Sequence, residues 1–231
     1  MLGVGGTQLF RAETPGPMKD TKFTPRISET ARGLWGVYVM FSVACMLRAT
    51  SASAAAYAAA AGIKSVVLVP KGKISLGKLS QAVAHKSQIL QVKGNFDDCL
   101  DLARALSENY PVHLVNSVNP DRIEGQKTGA FEVVESLGYA PDIHALPVGN
   151  AGNYSAYFKG YKEDVQAGRI KHIPQMWGYQ ADGSAPFVYG TPVKNPDTIA
   201  TAIRIGNPAS YDLALKAREV SDGRFGAVKD P

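Results

Sequence analysis

Residues 143–167, IHALPVGNAGNYSAYFKGYKEDVQA, contain the most informative element of the sequence. The first six residues of this stretch form a short apolar run that predicts a buried strand. A glycine-containing segment, Gly149 to Asn153, follows directly, and a helical pattern runs from about Tyr154 to Ala167 before Gly168. A strand that enters a helix through a tight loop is the repeating unit of α/β proteins with parallel sheets.

The same alternation continues on both sides of this stretch. Helices are predicted at residues 50–61, 76–85, 96–106 and 122–137, and strands at 65–70, 89–92, 112–115 and 174–180. This order predicts an α/β protein with two open lobes, each built on a parallel sheet. We expect a small lobe over 49–118 and part of a large lobe over 119–231, preceded by a segment without clean periodicity. Because no closing element precedes Pro231, the last sheet is expected to be incomplete and to lack an edge strand.

Composition narrows the function classes. The chain has 231 residues, 45% hydrophobic and 19% charged, as in one large or two small globular domains. The net charge is +5, and the lysines and arginines are scattered along the chain, which argues against a nucleic-acid partner. Two separate cysteines and four single histidines argue against a disulfide framework and a metal site, and indicate a reducing compartment, here taken as the cytoplasm. The apolar run at 34–47 is shorter than the roughly 20 residues of a membrane span, so it predicts a buried strand and no membrane partner.

The loop at Gly149 to Asn153 is a candidate anion site. Glycines allow close backbone approach, and the first N–H groups of the following helix have no partner within that helix. Together with the helix dipole, these groups attract a phosphate. The two asparagines have the chemistry to cap the helix or to bind a ligand oxygen. From the pattern alone, an ordinary tight turn between strand and helix remains an equal interpretation.

A second polar segment, NSVNPDRIEGQKT at residues 116–128, follows a strand and opens a helix. Asp121 is placed to cap this helix, and Arg122 falls in its first turn, against the favourable sign of the dipole. A cation there is explained if it helps to bind an anion, whereas the alternative is a solvated arginine. The hydroxyls of Thr50 and Ser51 stand at another predicted helix start, where simple N-capping explains them.

Five segments follow one another at near-constant spacing: TSASAAAYAAAAGI from residue 50, VPKGKISLGKLSQA from 69, GNFDDCLDLA from 94, LVNSVNPDRIEGQKTGAFE from 114 and LPVGNAGNYSAYFKGY from 146. Together they resemble the threonine synthase family, pyridoxal-phosphate enzymes of fold type II with a tryptophan synthase β-like fold. The resemblance implies a carbon–oxygen lyase that uses pyridoxal 5'-phosphate to convert O-phosphohomoserine and water to threonine and phosphate. It also implies a small-molecule substrate and a possible homodimer.

The resemblance also assigns residues. It places the cofactor phosphate at Gly149, Asn150, Ala151, Gly152 and Asn153. It places the substrate, with its own phosphate, near Thr50, Ser51, Asn116, Ser117, Asn119 and Arg122. Residues 16–20, GPMKD, are similar to a GSFKD segment, which makes Lys19 the candidate Schiff-base lysine.

This chain departs from the family pattern in three places. Met46-Leu47-Arg48-Ala49 stands where the family has Ser-Thr-Gly-Asn, the segment that supplies an asparagine to the cofactor ring oxygen. The resemblance weakens after Gly206, so the partner of the pyridine nitrogen is not found, and the N-terminal part matches only in pieces. We therefore expect a truncated or frame-shifted chain with impaired activity. A non-catalytic fragment and another fold-type-II enzyme, such as a threonine dehydratase, are the alternatives.

Overall fold

The computed structural model describes residues 37–41, 47–71, 80, 83–94, 96–115 and 119–231. The described residues up to Arg122 form one compact unit, here the N-terminal unit, and Ile123 to Pro231 form a second, the C-terminal unit. The sequence predicted the boundary between the small and large lobes four residues earlier in the chain than the boundary between these two units.

The elements of the N-terminal unit are β1 (Val37–Phe41), α1 (Leu47–Ala60), β2 (Lys64–Pro70), β3 (Gln88–Val92), α2 (Phe96–Asn109) and β4 (Val112–Leu114). The four strands form one parallel sheet in the order β3-β2-β1-β4. A short helix, α3 (Asp121–Gln126), begins at the end of this unit and continues into the next.

The strand β2 explains why an unbroken apolar run predicts a parallel sheet. Val67 and Val69 pack on one face against the small residues of α1, and Val66 and Leu68 pack on the other against α2. On that second face the free thiol of Cys99 is fully buried. Both faces of a parallel strand are covered by helices, so every side chain of β2 after Lys64 is buried.

The C-terminal unit continues with α4 (Thr128–Leu137), β5 (Ile143–Pro147), α5 (Gly152–Gln166), β6 (Gln175–Ala181), α6 (Pro186–Tyr189), α7 (Tyr211–Val220) and β7 (Arg224–Val228). Its three strands are parallel, in the order β5-β6-β7. The α/β class with two parallel sheets is thus confirmed.

Close packing of α5 on α4 depends on one glycine. A Cβ on Gly160 would overlap the carbonyl oxygen of Lys127 and the side chain of Ala130. Bare backbone at this point lets the two helices approach, so that Tyr154 and Tyr161 of α5 are fully buried in the core of this unit.

Two predictions about helices need correction, and a third is mostly not tested. The single helix predicted at 122–137 is two helices, α3 and α4, because the chain turns at Lys127 and Thr128 Oγ1 donates to the Gly125 carbonyl, 2.8 Å away. The helix α1 begins at Leu47, so Thr50 and Ser51 lie inside it and do not cap it. The helix predicted at 76–85 falls mostly outside the described residues.

Two predictions about strands were also incomplete or wrong. Of the apolar run at 34–47, the described strand is Val37–Phe41, and Leu47 already belongs to α1. The expected absence of an edge strand is wrong, because β7 pairs along β6 with Trp177 opposite Arg224. The alternation in residues 224–228 is weak, since Phe225 and Gly226 are partly buried and the other three residues are exposed, and this hid the strand.

A partly buried histidine, His144, couples the stability of the C-terminal unit to pH. His144 Nδ1 lies 2.7 Å from the Tyr161 hydroxyl, and its ring lies 4.6 Å from that of Tyr157. Burial lowers the pKa of His144 to about 4. An unfolded histidine keeps a pKa near 6.5, so as pH falls the unfolded chain takes up the proton first.

We therefore predict that the free energy of unfolding is highest above pH 6.5 and falls toward pH 4. Between pH 7 and pH 5 the loss from His144 should be about 2 kcal/mol. Urea unfolding at both pH values measures it. His144→Gln, which does not titrate but retains an amide for Tyr161, should remove most of this slope. Parallel pH dependences in the two proteins would contradict the assignment.

Candidate functional site

The loop between β5 and α5 lies at the carboxyl edge of the C-terminal sheet. Pro147, the last residue of β5, pairs with Tyr179 of β6, and the Val148 N–H then donates to the Tyr179 carbonyl at 2.8 Å. This bond anchors the chain where it leaves the sheet. The carboxyl edge of a parallel sheet is where ligand sites of open α/β proteins are found.

Gly149, Asn150 and Ala151 form the turn, and Gly152 is the first residue of α5. The helix therefore starts two residues earlier than predicted. Ala151 has a φ of 62°, a left-handed conformation that is uncommon for a residue with a side chain. It redirects the backbone into the helix, and no side chain caps α5 at this residue.

The backbone N–H groups from Gly149 to Asn153 are the main feature of this site. Among the described residues, none of them donates to a backbone carbonyl. The first such bond of the helix is from the Ser155 N–H to the Ala151 carbonyl, at 3.0 Å. Partnerless N–H groups at the positive end of a helix are an arrangement that binds an anion.

The two asparagines of the loop hold its shape. Asn150 Oδ1 accepts the Ala209 N–H at 3.0 Å, and the Asn150 carbonyl accepts the Ser210 N–H at 3.1 Å. Asn153 Nδ2 donates to the Pro147 carbonyl at 2.8 Å. In these contacts the side chains bind the loop's own surroundings and do not cap α5, which was one of the two roles predicted for them.

The segment from Ile203 to Ser210 covers the loop. A Cβ on Gly149 would lie 3.1 Å from the Ile203 Cα and 3.2 Å from Ile205 Cδ1, so a side chain here would require its neighbours to shift by a few tenths of an ångström. Sequence reasoning did not assign Ala209 or Ser210 to the site. The only signal was that ATAIRIGNPAS, from residue 200, also fits the family pattern.

The second predicted segment is only partly described, because Asn116 and Ser117 lie outside the described residues. Asn119 Nδ2 donates to the Leu114 carbonyl at 2.6 Å, and its Oδ1 accepts the Asp121 N–H at 2.7 Å. The cap of α3 is therefore Asn119, and the prediction of Asp121 as cap is wrong. Asp121 is already the first residue of the helix.

Arg122 is the second residue of α3 and is half-buried. Burial lowers the pKa of its guanidinium below the ordinary value. A partly desolvated cation gains from any anion placed beside it. The position is compatible with the predicted role of Arg122 at a phosphate and does not by itself assign it.

Lys127 is engaged in two ion pairs. Its Nζ lies 2.7 Å from Glu124 Oε2 and 2.9 Å from Glu163 Oε1, and Lys159 also pairs with Glu124. Hydrogen bonds from Lys127 and then Lys159 hold the pKa of Glu124 below its usual value. This ion-pair network joins α3 to α5 within the C-terminal unit.

The remaining predictions concern Lys19, a membrane span and a metal site. Lys19 lies outside the described residues. Within the described ranges, no helix is long and apolar enough to cross a membrane. In the same part of the chain, no three side chains of His, Cys, Asp or Glu are grouped so that they could hold a metal ion.

Comparison with known families places this loop and sheet in context. The family model of pyridoxal-phosphate dependent enzymes matches residues 49–231, and the chain belongs to this family. Pyridoxal phosphate is accordingly the cofactor of its class, as the sequence predicted. The match extends to Pro231.

Within this family, the chain is similar to curated proteins named threonine synthase. Threonine synthase of Mycobacterium tuberculosis is 63% identical over 182 residues, which are 78% of this chain and 51% of that protein. The enzymes so named from Synechocystis sp. and Methanocaldococcus jannaschii are 54% and 50% identical, each over 78% of this chain and 47% of the relative. The chain spans about half the length of the curated relatives that it matches.

Solved structures show the same fold at low sequence identity. A fungal L-serine ammonia-lyase from Rhizomucor miehei superposes with a TM-score of 0.68 at 20% identity, over 87% of this chain and 63% of the other. Threonine deaminase isoform 2 from Solanum lycopersicum gives 0.66 at 17% identity, over 87% of this chain and 54% of the other. At such identities these neighbours support the fold alone, which is fold type II as predicted.

The contact between Gly149 and Ile203 yields a prediction on stability. Gly149→Ala places a methyl group 3.1 Å from the Ile203 backbone, which must shift to admit it, and should lower the free energy of unfolding by about 1–3 kcal/mol. Gly152→Ala is the matched control, because its nearest neighbour would be Ser210 Oγ at 3.9 Å. We expect the control to change stability by less than about 0.5 kcal/mol in urea unfolding. Equal losses in both variants would show that Ile203 does not enclose Gly149.

Proposed function

We propose that this chain is a threonine synthase-like lyase that converts O-phosphohomoserine and water to threonine and phosphate. The likeness to curated threonine synthases supports this reaction, and the row of backbone donors from Gly149 to Asn153 is the structural observation that carries it. The likeness covers half of those relatives, so the activity of the whole protein is part of the proposal.

The residues at the start of α5 fit the phosphate of the cofactor. Gly149 and Gly152 present bare backbone, the conformation of Ala151 turns the chain into the helix, and the helix dipole favours a dianion there. The donors are backbone groups held by the sheet on one side and by the Asn150 contacts on the other. They need no rearrangement to receive a phosphate, which reduces the cost of binding.

When bound, the cofactor supplies an electron sink for bond cleavage beside the substrate amine. The protein residues bind and orient the reacting groups. In this proposal Arg122 binds the substrate phosphate, because its planar guanidinium can donate two parallel hydrogen bonds to phosphate oxygens. Asn116 and Ser117 supply further donors.

Thr50 and Ser51 remain proposed substrate contacts on α1. Asn119 holds the turn before α3 through its contacts with Leu114 and Asp121, so we assign it to positioning Arg122.

Lys19 remains the proposed lysine that holds the cofactor covalently, on the basis of the GPMKD segment alone. Met46-Leu47-Arg48-Ala49 stands in place of the family's asparagine-bearing segment, so one contact to the cofactor ring is missing. We therefore expect slower turnover than in the intact family enzymes. A cytoplasmic location and a homodimer likewise remain predictions.

The role of Arg122 yields a prediction on substrate affinity. In the holoprotein, Arg122→Ala should raise the KM for O-phosphohomoserine at least tenfold, about 1.4 kcal/mol of lost binding, with a smaller change in kcat. Phosphate release measures both constants, and calorimetric titration of O-phosphohomoserine gives the affinity directly if turnover is slow. Arg104→Ala is the control, because Arg104 is exposed on α2 and pairs with Asp101.

An unchanged affinity in Arg122→Ala would remove Arg122 from the substrate site. A holoprotein that neither binds O-phosphohomoserine nor releases phosphate would instead reject the reaction. That outcome favours the non-catalytic alternative.

A further inference from the structure

Ser210 stands at the start of α7. It directly precedes α7 and occupies the N-cap position, where a serine hydroxyl ordinarily accepts an N–H of its own helix. Its side chain makes no such bond. The residue is only 7% exposed. A hydroxyl in this state is suited to donate to a group outside the helix.

The surroundings of Ser210 place that hydroxyl beside the loop at the start of α5. The Ser210 N–H donates to the Asn150 carbonyl, and the preceding Ala209 N–H donates to Asn150 Oδ1. A Cβ on Gly152 would have Ser210 Oγ as its nearest neighbour, at 3.9 Å. The hydroxyl therefore lies next to the first residue of α5.

The two bonds to Asn150 also bring together the first turns of two long helices. The helices α5 and α7, of 15 and 10 residues, both begin within a few ångströms of Asn150 and Ser210. Each carries a partial positive charge at this end. Two positive helix ends side by side repel each other, and an anion between them relieves that repulsion.

We propose that Ser210 is a further ligand of the phosphate bound at Gly149 to Asn153, its hydroxyl donating to a phosphate oxygen beside the backbone N–H groups. The site is then built by two helix N-termini, α5 and α7, joined through Asn150. This inference rests on the proposed function, since it takes the cofactor phosphate as the anion. It adds the segment from Ala209 to Tyr211, which neither the glycine motif nor the residues from 116 to 128 include.

The test compares two ligands that differ only in the phosphate. Pyridoxine 5'-phosphate and pyridoxine both lack the aldehyde, so neither reacts with lysine side chains. Calorimetric titration of the full chain gives two dissociation constants. Their ratio, pyridoxine over pyridoxine 5'-phosphate, measures recognition of the phosphate. Partial unfolding of a variant affects both constants equally and leaves this ratio unchanged.

We expect a ratio well above tenfold in the original protein and a roughly tenfold smaller ratio in Ser210→Ala, the loss expected for one hydrogen bond to a charged group. Ser210→Thr keeps the hydroxyl and should retain most of the ratio. Ser136→Ala is the control, because Ser136 is exposed on α4 and bonds the Glu132 carbonyl. It should leave the ratio unchanged.

A high ratio in the original protein that Ser210→Ala does not lower would overturn the role of Ser210 and leave the phosphate loop intact. A ratio near one in the original protein would reject the phosphate loop, and with it this inference. The two failures are therefore distinguishable in one set of titrations.

Discussion

The backbone of Gly149 to Asn153 must turn from a strand into a helix while its N–H groups stay available to a ligand. A buried N–H group without a hydrogen-bond partner costs free energy. The conformation of the loop must therefore be held by hydrogen bonds that do not use these N–H groups. In the structure, oxygen atoms of the loop and of the preceding strand accept the hydrogen bonds that hold it. The Asn150 carbonyl and Oδ1 take N–H groups from Ser210 and Ala209, while the Pro147 carbonyl takes the amide of Asn153.

The rest of the C-terminal unit supports that loop. The sheet fixes its entry through Val148 and Tyr179, and the packing of α5 on α4 across Gly160 fixes its exit. The ion-pair network of Glu124, Lys127, Lys159 and Glu163 adds a connection from α3 to the middle of α5. These pairs are partly exposed, so each contributes modestly to stability, and their main effect is to fix the position of α3 on α5.

Much of this architecture could be predicted from sequence because the signals are local. The run at β2 is apolar on both faces, which predicts a buried parallel strand. The glycine-containing segment after β5 predicts a tight turn between a strand and a helix. The break at Lys127 was missed because Thr128 bonds back to Gly125, a contact that helical periodicity does not contain. The strand β7 was missed because only two of its five residues are partly buried.

For the site, the sequence identified the loop but not the segment that completes it. The roles of Ala209 and Ser210 depend on contacts with Asn150 across 59 and 60 positions of chain, which no local pattern encodes. The asparagines were recognised as functional residues, yet which of their atoms face the loop is a property of the fold. The ion pair of Lys127 with Glu163 likewise joins residues 36 positions apart, so no local pattern predicts it.

The central claim is that the backbone amides of Gly149 to Asn153 bind the cofactor phosphate, and amide hydrogen exchange with residue resolution tests it most directly. Exchange is compared for the chain alone, with pyridoxal phosphate and with pyridoxal. The account predicts slower exchange at residues 149–153 with pyridoxal phosphate and little change there with pyridoxal, because the donors become hydrogen-bonded only to the phosphate. Unchanged exchange at these amides, with protection elsewhere in the chain, would contradict the account.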